Sequence, residues 1–143
     1  MVHVARTFPV DAPVEAVVAY LADFSNAVAW DPGTVRCTRI GTGPVEVGAT
    51  WANVSKVLGR ETELTYELRV LEPGHVQLRG TNKTATSIDD ITVRPHARGA
   101  EVTYDASVTF NGLAKLGWPV MQLEFLRLGK LTVEGITRET AKL

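Results

Sequence analysis

The amino-acid sequence predicts a single α+β domain spanning residues 1–143, in which a strongly curved antiparallel sheet of seven strands carries its helices on one face. Two patterns support this prediction. Apolar and polar residues alternate with period two from Val35 to Phe110, with turn residues at intervals. A long amphipathic segment then runs from Leu113 to Leu143, and only a sheet could cover its apolar stripe.

The N-terminal part predicts one strand followed by two short helices. Residues His3 to Val10 alternate as a strand, and Asp11 is placed to cap a helix that has Pro13 near its first turn. A second short helix is predicted from Phe24 to Trp30, where the sequence Asp31-Pro32-Gly33 ends it.

Six more strands are predicted between the short helices and the C-terminal segment. Turn residues such as Gly, Pro and Asn separate them, and Gly59-Arg60 is predicted to form one tight reversal. The predicted strands are Val35–Ile40, Ala49–Leu58, Glu61–Leu71, Val76–Gly80, Thr86–Arg94 and Glu101–Phe110. A curved sheet packed against one helix often does not close on itself, so we expect a cavity between them.

The C-terminal segment predicts one long helix that is broken early by Pro119. After this proline the helix would run about 35 Å at 1.5 Å per residue, enough to cross a small domain. Its apolar residues recur in steps of three and four, and we expect them to form a broad stripe facing the sheet: Leu116, Val120 and Leu123 in one row, and Met121, Phe125 and Leu128 in the next.

Composition and charge exclude several classes of function. The net charge of −1, with basic and acidic residues interspersed, argues against nucleic acid as a partner. The single cysteine, Cys37, and the spacing of the three histidines predict neither a disulfide nor a metal site, and no cofactor motif is present. Because the sequence has neither a signal peptide pattern nor an apolar run of about 18 residues, we expect a cytoplasmic protein without stable membrane insertion.

Asp89 is a candidate for chemistry inside the sheet. If Ile91 and Val93 face the cavity, strand alternation places Ser87 and Asp89 on the same inner face. A carboxyl group on an apolar wall has its pKa raised by desolvation, so it could act as a general acid or base or anchor a polar ligand group. The alternative is that Asp89 lies near a strand end, where it is paired or hydrated.

Two tyrosines stand on the clearest apolar faces of the sheet. Tyr66 and Tyr104 could each direct a hydroxyl into the cavity and donate a hydrogen bond to a ligand. The alternative for each is a core position from which the hydroxyl reaches solvent or a backbone carbonyl.

Three stretches of the chain carry a family resemblance. These are Thr7 to Val17 (TFPVDAPVEAV), Asp23 to Pro32, and Arg98 to Tyr104 (RGAEVTY). With them the chain resembles the START-like, Bet v 1-like superfamily, and within it the branch of polyketide cyclase/dehydrase and lipid transport proteins. The resemblance implies a helix-grip fold, in which the sheet wraps around the C-terminal helix and an apolar pocket between them holds a lipid, a polyketide or a similar molecule.

Three functions remain open on the sequence. The first is binding of a hydrophobic small molecule without chemistry. The second is an enzyme of the polyketide cyclase or dehydratase type, in which Asp89, a tyrosine or Arg60 handles one proton. The third is a protein that presses its open pocket against a partner. The sequence specifies neither a ligand nor an oligomeric state.

We expect a ligand in the pocket to contact inward-facing residues of the strands and of the front of the long helix. The predicted contact residues are Trp51, Asn53, Tyr66, Leu68, Leu78, Asp89, Ile91, Tyr104, Val108, Trp118, Met121 and Phe125.

Overall fold

The computed structural model describes residues 1–112 and 118–143, except for the side chain of Trp118. The strands are β1 (Val2–Val10), β2 (Thr34–Ile40), β3 (Thr50–Val57), β4 (Arg60–Glu72), β5 (His75–Thr81), β6 (Ala85–His96) and β7 (Gly99–Phe110). The helices are α1 (Val14–Ala22), α2 (Ala27–Trp30), which follows a 3-10 turn at Phe24–Asn26, and α3 (Trp118–Thr140). The predicted α+β class, the order of the elements and the helix-grip arrangement are confirmed.

The seven strands form one antiparallel sheet in the order β1-β7-β6-β5-β4-β3-β2. The edge strands β1 and β2 lie at opposite ends of this order, so the sheet does not close through a β1–β2 pair. The pairing register shifts once between β2 and β3 and once between β4 and β5, near Leu68. Irregularities of this kind bend a strand and increase its local twist, which favours the curved sheet that the fold requires.

The start of α1 differs from the prediction. Asp11 does not cap the helix, because α1 begins at Val14 with Pro13 in the N-cap position. The carboxylate of Asp11 instead accepts two hydrogen bonds of 2.9 Å from the guanidinium of Arg98. This pair ties the β1–α1 connection to the β6–β7 turn.

The predicted reversal between β3 and β4 is displaced by one residue. Leu58 and Gly59 both have positive φ angles, 52° and 78°, which is the pattern of a type I′ hairpin turn. Arg60, predicted in the turn, is therefore the first residue of β4.

Helix α3 is attached mainly through its C-terminal half. A Cβ atom on Gly129 would lie 2.8 Å from Cγ2 of Val4, and one on Gly135 would overlap the backbone oxygen of Trp30. Both glycines therefore allow the helix backbone to approach β1 and α2 closely. Ile136 is fully buried in the same half of the helix.

The N-terminal half of α3 buries less of its apolar surface than predicted. Val120 and Leu123 are 56% and 72% exposed, so the row that contains them is largely open to solvent, although Val120 reaches the edge of the cavity described below. Among the described residues the helix packs closely on β1 and on α2, and this arrangement leaves Leu123 outside. Leu116, in the same predicted row, lies outside the described residues. No helix among the described residues is long and apolar enough to cross a bilayer.

One end of the hollow inside the sheet is filled by aromatic side chains from the short helices. Phe24 packs edge-on against Trp30 and Trp51, with ring centroids 6.0 and 6.5 Å apart, and lies 4.4 Å from the ring of Tyr66. Trp30 also meets Tyr104 edge-on at 6.0 Å. Tyr66 and Tyr104 lie between this aromatic cluster and a cavity that they line.

Candidate functional site

A cavity of about 420 Å³ lies between the inner face of the sheet and α3. This volume is within the range of about 300–1,000 Å³ that is common for small-molecule sites. The sheet side of the lining includes Val4, Ser55, Val57, Leu64, Tyr66, Ala85, Ser87, Asp89, Tyr104, Ala106, Val108 and Phe110, and α3 contributes Val120, Met121, Phe125, Leu128, Gly129 and Thr132. Most of these side chains are apolar, and the polar groups are few.

Asp89 is the most deeply buried acid in the lining. Its residue exposure is 4%, and its Oδ2 accepts a hydrogen bond of 3.1 Å from the hydroxyl of Tyr104. Among the described residues no hydrogen bond is made to Oδ1. Burial raises the pKa of Asp89 to about 7, helped by the charge of Asp31 and opposed by the hydrogen bond from Tyr104. A carboxyl group with this pKa can gain or lose a proton at neutral pH.

Asp31 is a second acid in the lining, at a position where the sequence indicated only the end of a helix. Its Oδ1 accepts a hydrogen bond of 3.1 Å from the backbone N–H of Gly33, and its Oδ2 accepts one of 2.9 Å from the hydroxyl of Thr34. Burial raises the pKa of Asp31, and these two hydrogen bonds oppose the rise. The signal in the sequence is the Asp-x-Gly-Thr pattern, in which an aspartate commonly bonds the backbone two residues later.

The ring of Tyr66 lies over Gly80, its partner on β5, where no side chain is in the way. In the sheet register Tyr66 is opposite Gly80, which is in turn opposite Ser87. A Cβ atom on Gly80 would lie 2.5 Å from the ring of Tyr66, so only glycine leaves room for the ring in this position. Burial raises the pKa of the Tyr66 hydroxyl, with a further contribution from the charge of Asp89, while a hydrogen bond with Ser87 opposes the rise.

Half of the predicted contact residues lie in the cavity lining. These are Tyr66, Asp89, Tyr104, Val108, Met121 and Phe125. Five others are buried but lie outside the lining: Trp51, Asn53, Leu68, Leu78 and Ile91. The side chain of the twelfth, Trp118, lies outside the described residues. Alternation along a strand identified the inner face correctly, but it does not indicate which part of that face another element covers.

Trp51 and Asn53 have internal partners where they lie. The indole N–H of Trp51 donates a hydrogen bond of 3.1 Å to the hydroxyl of Ser25. The amide of Asn53 donates one of 3.1 Å to the hydroxyl of Thr34 and accepts one of 2.6 Å from that of Ser55. Both residues thus join the short helical region and β2 to the sheet, whereas Ser55 and Val57, further along the same face of β3, reach the cavity.

A larger recess of about 670 Å³ lies between α1 and the β4–β5 turn. Its lining includes Val14, Val18, Leu71 and Val93, and its acidic residues, Glu15 and Glu72, are exposed. No buried titratable group among the described residues faces it. We therefore take the smaller cavity as the candidate site, because its lining includes a buried acid, a half-buried acid and two buried tyrosines.

The sequence matches a family model described as "Polyketide cyclase / dehydrase and lipid transport" over residues 1–135. The chain belongs to this family. The resemblance identified from the sequence is confirmed, and the family is one whose fold binds hydrophobic molecules. A search of curated protein sequences finds no match.

Several solved structures share the fold of this chain but have low sequence identity to it. The Zhui aromatase/cyclase from Streptomyces sp. R1128 aligns with a TM-score of 0.77 and 14% identity, covering 96% of this chain and 92% of its own. A START superfamily protein from Mycobacterium smegmatis aligns with a TM-score of 0.75 and 13% identity, covering 96% and 97%. A STAR-related lipid transfer protein from Xanthomonas axonopodis gives 0.74 and 13%, covering 96% and 85%. At these identities the similarity establishes the fold alone.

Proposed function

We propose that this chain is a single domain that binds a hydrophobic small molecule, such as a lipid or a polyketide, in the cavity between the sheet and α3. The observation that carries the proposal is the cavity itself, which has mainly apolar walls and a small cluster of polar groups at one place. Sites for small molecules commonly combine these features, because apolar walls supply affinity and a few polar groups fix the orientation of the ligand.

The polar cluster lies on one side of the cavity. Asp89 and Tyr104 are hydrogen-bonded to each other, Ser87 lies two residues before Asp89 on β6, and Tyr66 of β4 lies opposite Gly80 of the intervening strand β5. Met121 and Phe125 line the cavity from α3. A ligand with an apolar body and one polar end could place that end at Asp89 and the body against α3. Each methylene group that is removed from water would contribute about 0.8 kcal/mol to binding.

The proposal is tested by titration with 1-decanol and with 2-naphthol, a linear and an aromatic neutral compound, followed by isothermal calorimetry. We expect saturable binding of at least one compound with a stoichiometry of one. If neither compound binds saturably, the proposal is wrong.

A matched pair of variants locates the binding. Ala106 lines the cavity from β7, whereas Ala5 is exposed on the neighbouring strand β1. Ala106→Leu should fill part of the cavity and weaken binding about tenfold or more, which corresponds to about 1.4 kcal/mol. Ala5→Leu should leave the affinity unchanged. Equal effects of the two substitutions would place the bound compound somewhere else.

The second candidate function is an enzyme of the cyclase or dehydratase type. The observation that favours it is the Asp89–Tyr104 pair, in which a carboxyl group with a pKa of about 7 faces the cavity. Such a group could accept a proton from a carbon next to a ligand carbonyl or return it to an oxygen. Arg60, the third candidate for handling a proton, is exposed at the edge of the lining.

The enzyme hypothesis is tested by incubating the protein with linear poly-β-ketone analogues and following cyclised or dehydrated products by mass spectrometry. Asp89→Asn should abolish turnover and keep the affinity for the analogue within a few fold, and Tyr104→Phe should lower turnover less. Turnover that is undiminished in Asp89→Asn would remove this residue from the reaction.

A further inference from the structure

The described lining of the cavity contains more acidic than basic residues. Asp31 and Asp89 are the only acids in its described lining, and Arg60 is the only base. Arg60 is exposed and lies at the start of β4, next to the β3–β4 turn, whereas Asp89 is buried in the middle of the sheet. The described part of α3 contributes no charged side chain to the lining. The inner part of the cavity therefore carries acidic groups without a basic partner.

The carboxylates of Asp31 and Asp89 differ in how many of their oxygens accept a hydrogen bond. Both carboxylate oxygens of Asp31 accept hydrogen bonds from its own turn. Asp89 receives one hydrogen bond, from Tyr104 to Oδ2, and its Oδ1 has no donor among the described residues although the residue is only 4% exposed. Asp89 lines the cavity, and a carboxylate oxygen on a cavity wall that has no donor is a place where a ligand can supply one.

We propose that the ligand is an organic cation, an apolar molecule with a protonated amine at one end, and that its ammonium group donates a hydrogen bond to Oδ1 of Asp89 beside Asp31. This inference rests on the proposed function of the cavity and adds the chemical class of the ligand. An ammonium group has three donors and no acceptor, which suits a carboxylate oxygen that lacks a donor.

Ligands of other charge fit the same place less well. At pH 8, where Asp89 is mostly ionised, a fatty-acid carboxylate would add a second negative charge next to that of Asp89 in a poorly hydrated site, where repulsion between like charges is strong. A neutral alcohol could donate one hydrogen bond but would not offset the charge of the carboxylate. Hydrogen bonds to charged groups are stronger than those between neutral groups, so we expect the amine to bind about tenfold or more tightly than the alcohol.

The preference should depend on pH in a defined direction. The titratable groups facing Asp89 in the cavity are Asp31, Tyr66 and Tyr104, with Arg60 at the edge. Burial raises the pKa of both tyrosines, so they stay neutral near pH 7. An alkylamine stays protonated at that pH, as the lysine side chain does. The amine therefore pairs with an ionised Asp89, and its affinity should rise about tenfold from pH 6 to pH 8 as the pKa of about 7 is passed.

The experiment compares three probes with the same apolar tail, decylamine, 1-decanol and decanoate, each below its micelle concentration and measured by calorimetry at pH 6 and pH 8. The expected order of affinity at pH 8 is decylamine, then 1-decanol, then decanoate, with the advantage of decylamine reduced at pH 6. If none of the three binds, the proposed function itself fails. If 1-decanol binds and decylamine does not bind more tightly, or decanoate binds best, the cavity binds hydrophobic molecules and the inference of a cation is wrong.

Two further measurements assign the effect to Asp89. Asp89→Asn keeps an oxygen that can accept from Tyr104, and within this variant decylamine should no longer bind more tightly than 1-decanol. Asp90→Asn makes the same change on the outer face of β6, where Asp90 bonds His75, and should keep the preference. In the unmodified protein, binding of decylamine at pH 6 in weak buffer should release close to one proton, and binding of 1-decanol none. A preference that survives Asp89→Asn, or binding of decylamine without proton release, would overturn the assignment.

Discussion

Replacing Asp89 by Asn should stabilise the protein at neutral and alkaline pH and have little effect in acid. The folded protein holds Asp89 with a pKa of about 7, against an ordinary value of 3.8. Because this pKa is raised, the contribution of Asp89 to stability is fully present below pH 3.8 and is lost as the pH rises to 7. Each pKa unit corresponds to about 1.36 kcal/mol, so the full loss is about 4 kcal/mol. The amide of the variant does not ionise and would avoid this loss.

The measurement is urea unfolding of the parent and the variant at half-unit intervals from pH 4 to pH 9. The difference in the free energy of unfolding should increase by about 2 kcal/mol from pH 4 to pH 5.5, by about 4 kcal/mol up to pH 7.5, and then stay constant. A constant offset caused by the substitution itself does not alter this shape. Asp90→Asn, on the outer face, tests whether any aspartate on β6 gives the same profile. A difference that is flat with pH would show that Asp89 titrates like an exposed aspartate and would refute the reasoning.

Three other substitutions test how the cavity is built, each by urea unfolding or ligand titration. Phe24→Ala removes the ring that packs against Trp30, Trp51 and Tyr66 and should cost about 3–5 kcal/mol; a cost below about 1 kcal/mol would mean that this end of the hollow is not filled by Phe24. Gly135→Ala sets a Cβ against the backbone oxygen of Trp30 and should cost about 1–3 kcal/mol despite the better helix propensity of Ala; a gain in stability would contradict the close approach. Gly80→Ala, whose Cβ would meet the Tyr66 ring at 2.5 Å, should displace that ring and weaken 1-decanol binding, and unchanged affinity would show that the ring position is unimportant for the cavity.

Much of the fold could be predicted because it depends on local patterns. Alternation along Glu61–Leu71 and Glu101–Phe110 identified strands whose inner faces are buried as expected, including Leu64, Tyr66 and Tyr104. The turns between them are marked by glycine, proline and asparagine, which have local conformational reasons to be there. The family resemblance then supplied the arrangement of the sheet around α3.

What could not be predicted depends on packing between distant elements. The sequence places Trp51 and Tyr66 on inner faces alike, but Phe24 covers the first and leaves the second at the cavity wall. Similarly, the period of α3 does not reveal that its close approach at Gly129 leaves Leu123 outside. Asp31 was missed because its role depends on where the end of α2 lies relative to β6.

The aromatic filling behind Tyr66 has a consequence for the size of ligand that could be accepted. A ligand that entered beside α3 would reach the ring of Tyr66. Because the ring of Phe24 packs behind that ring at a centroid distance of 4.4 Å, the Tyr66 ring cannot move away from the ligand. The inner end of the cavity would then limit how far a ligand bound at the carboxyl group of Asp89 can extend inward. Longer ligands would have to extend toward the β3–β4 turn. A smaller residue at position 24 would allow longer ligands to bind.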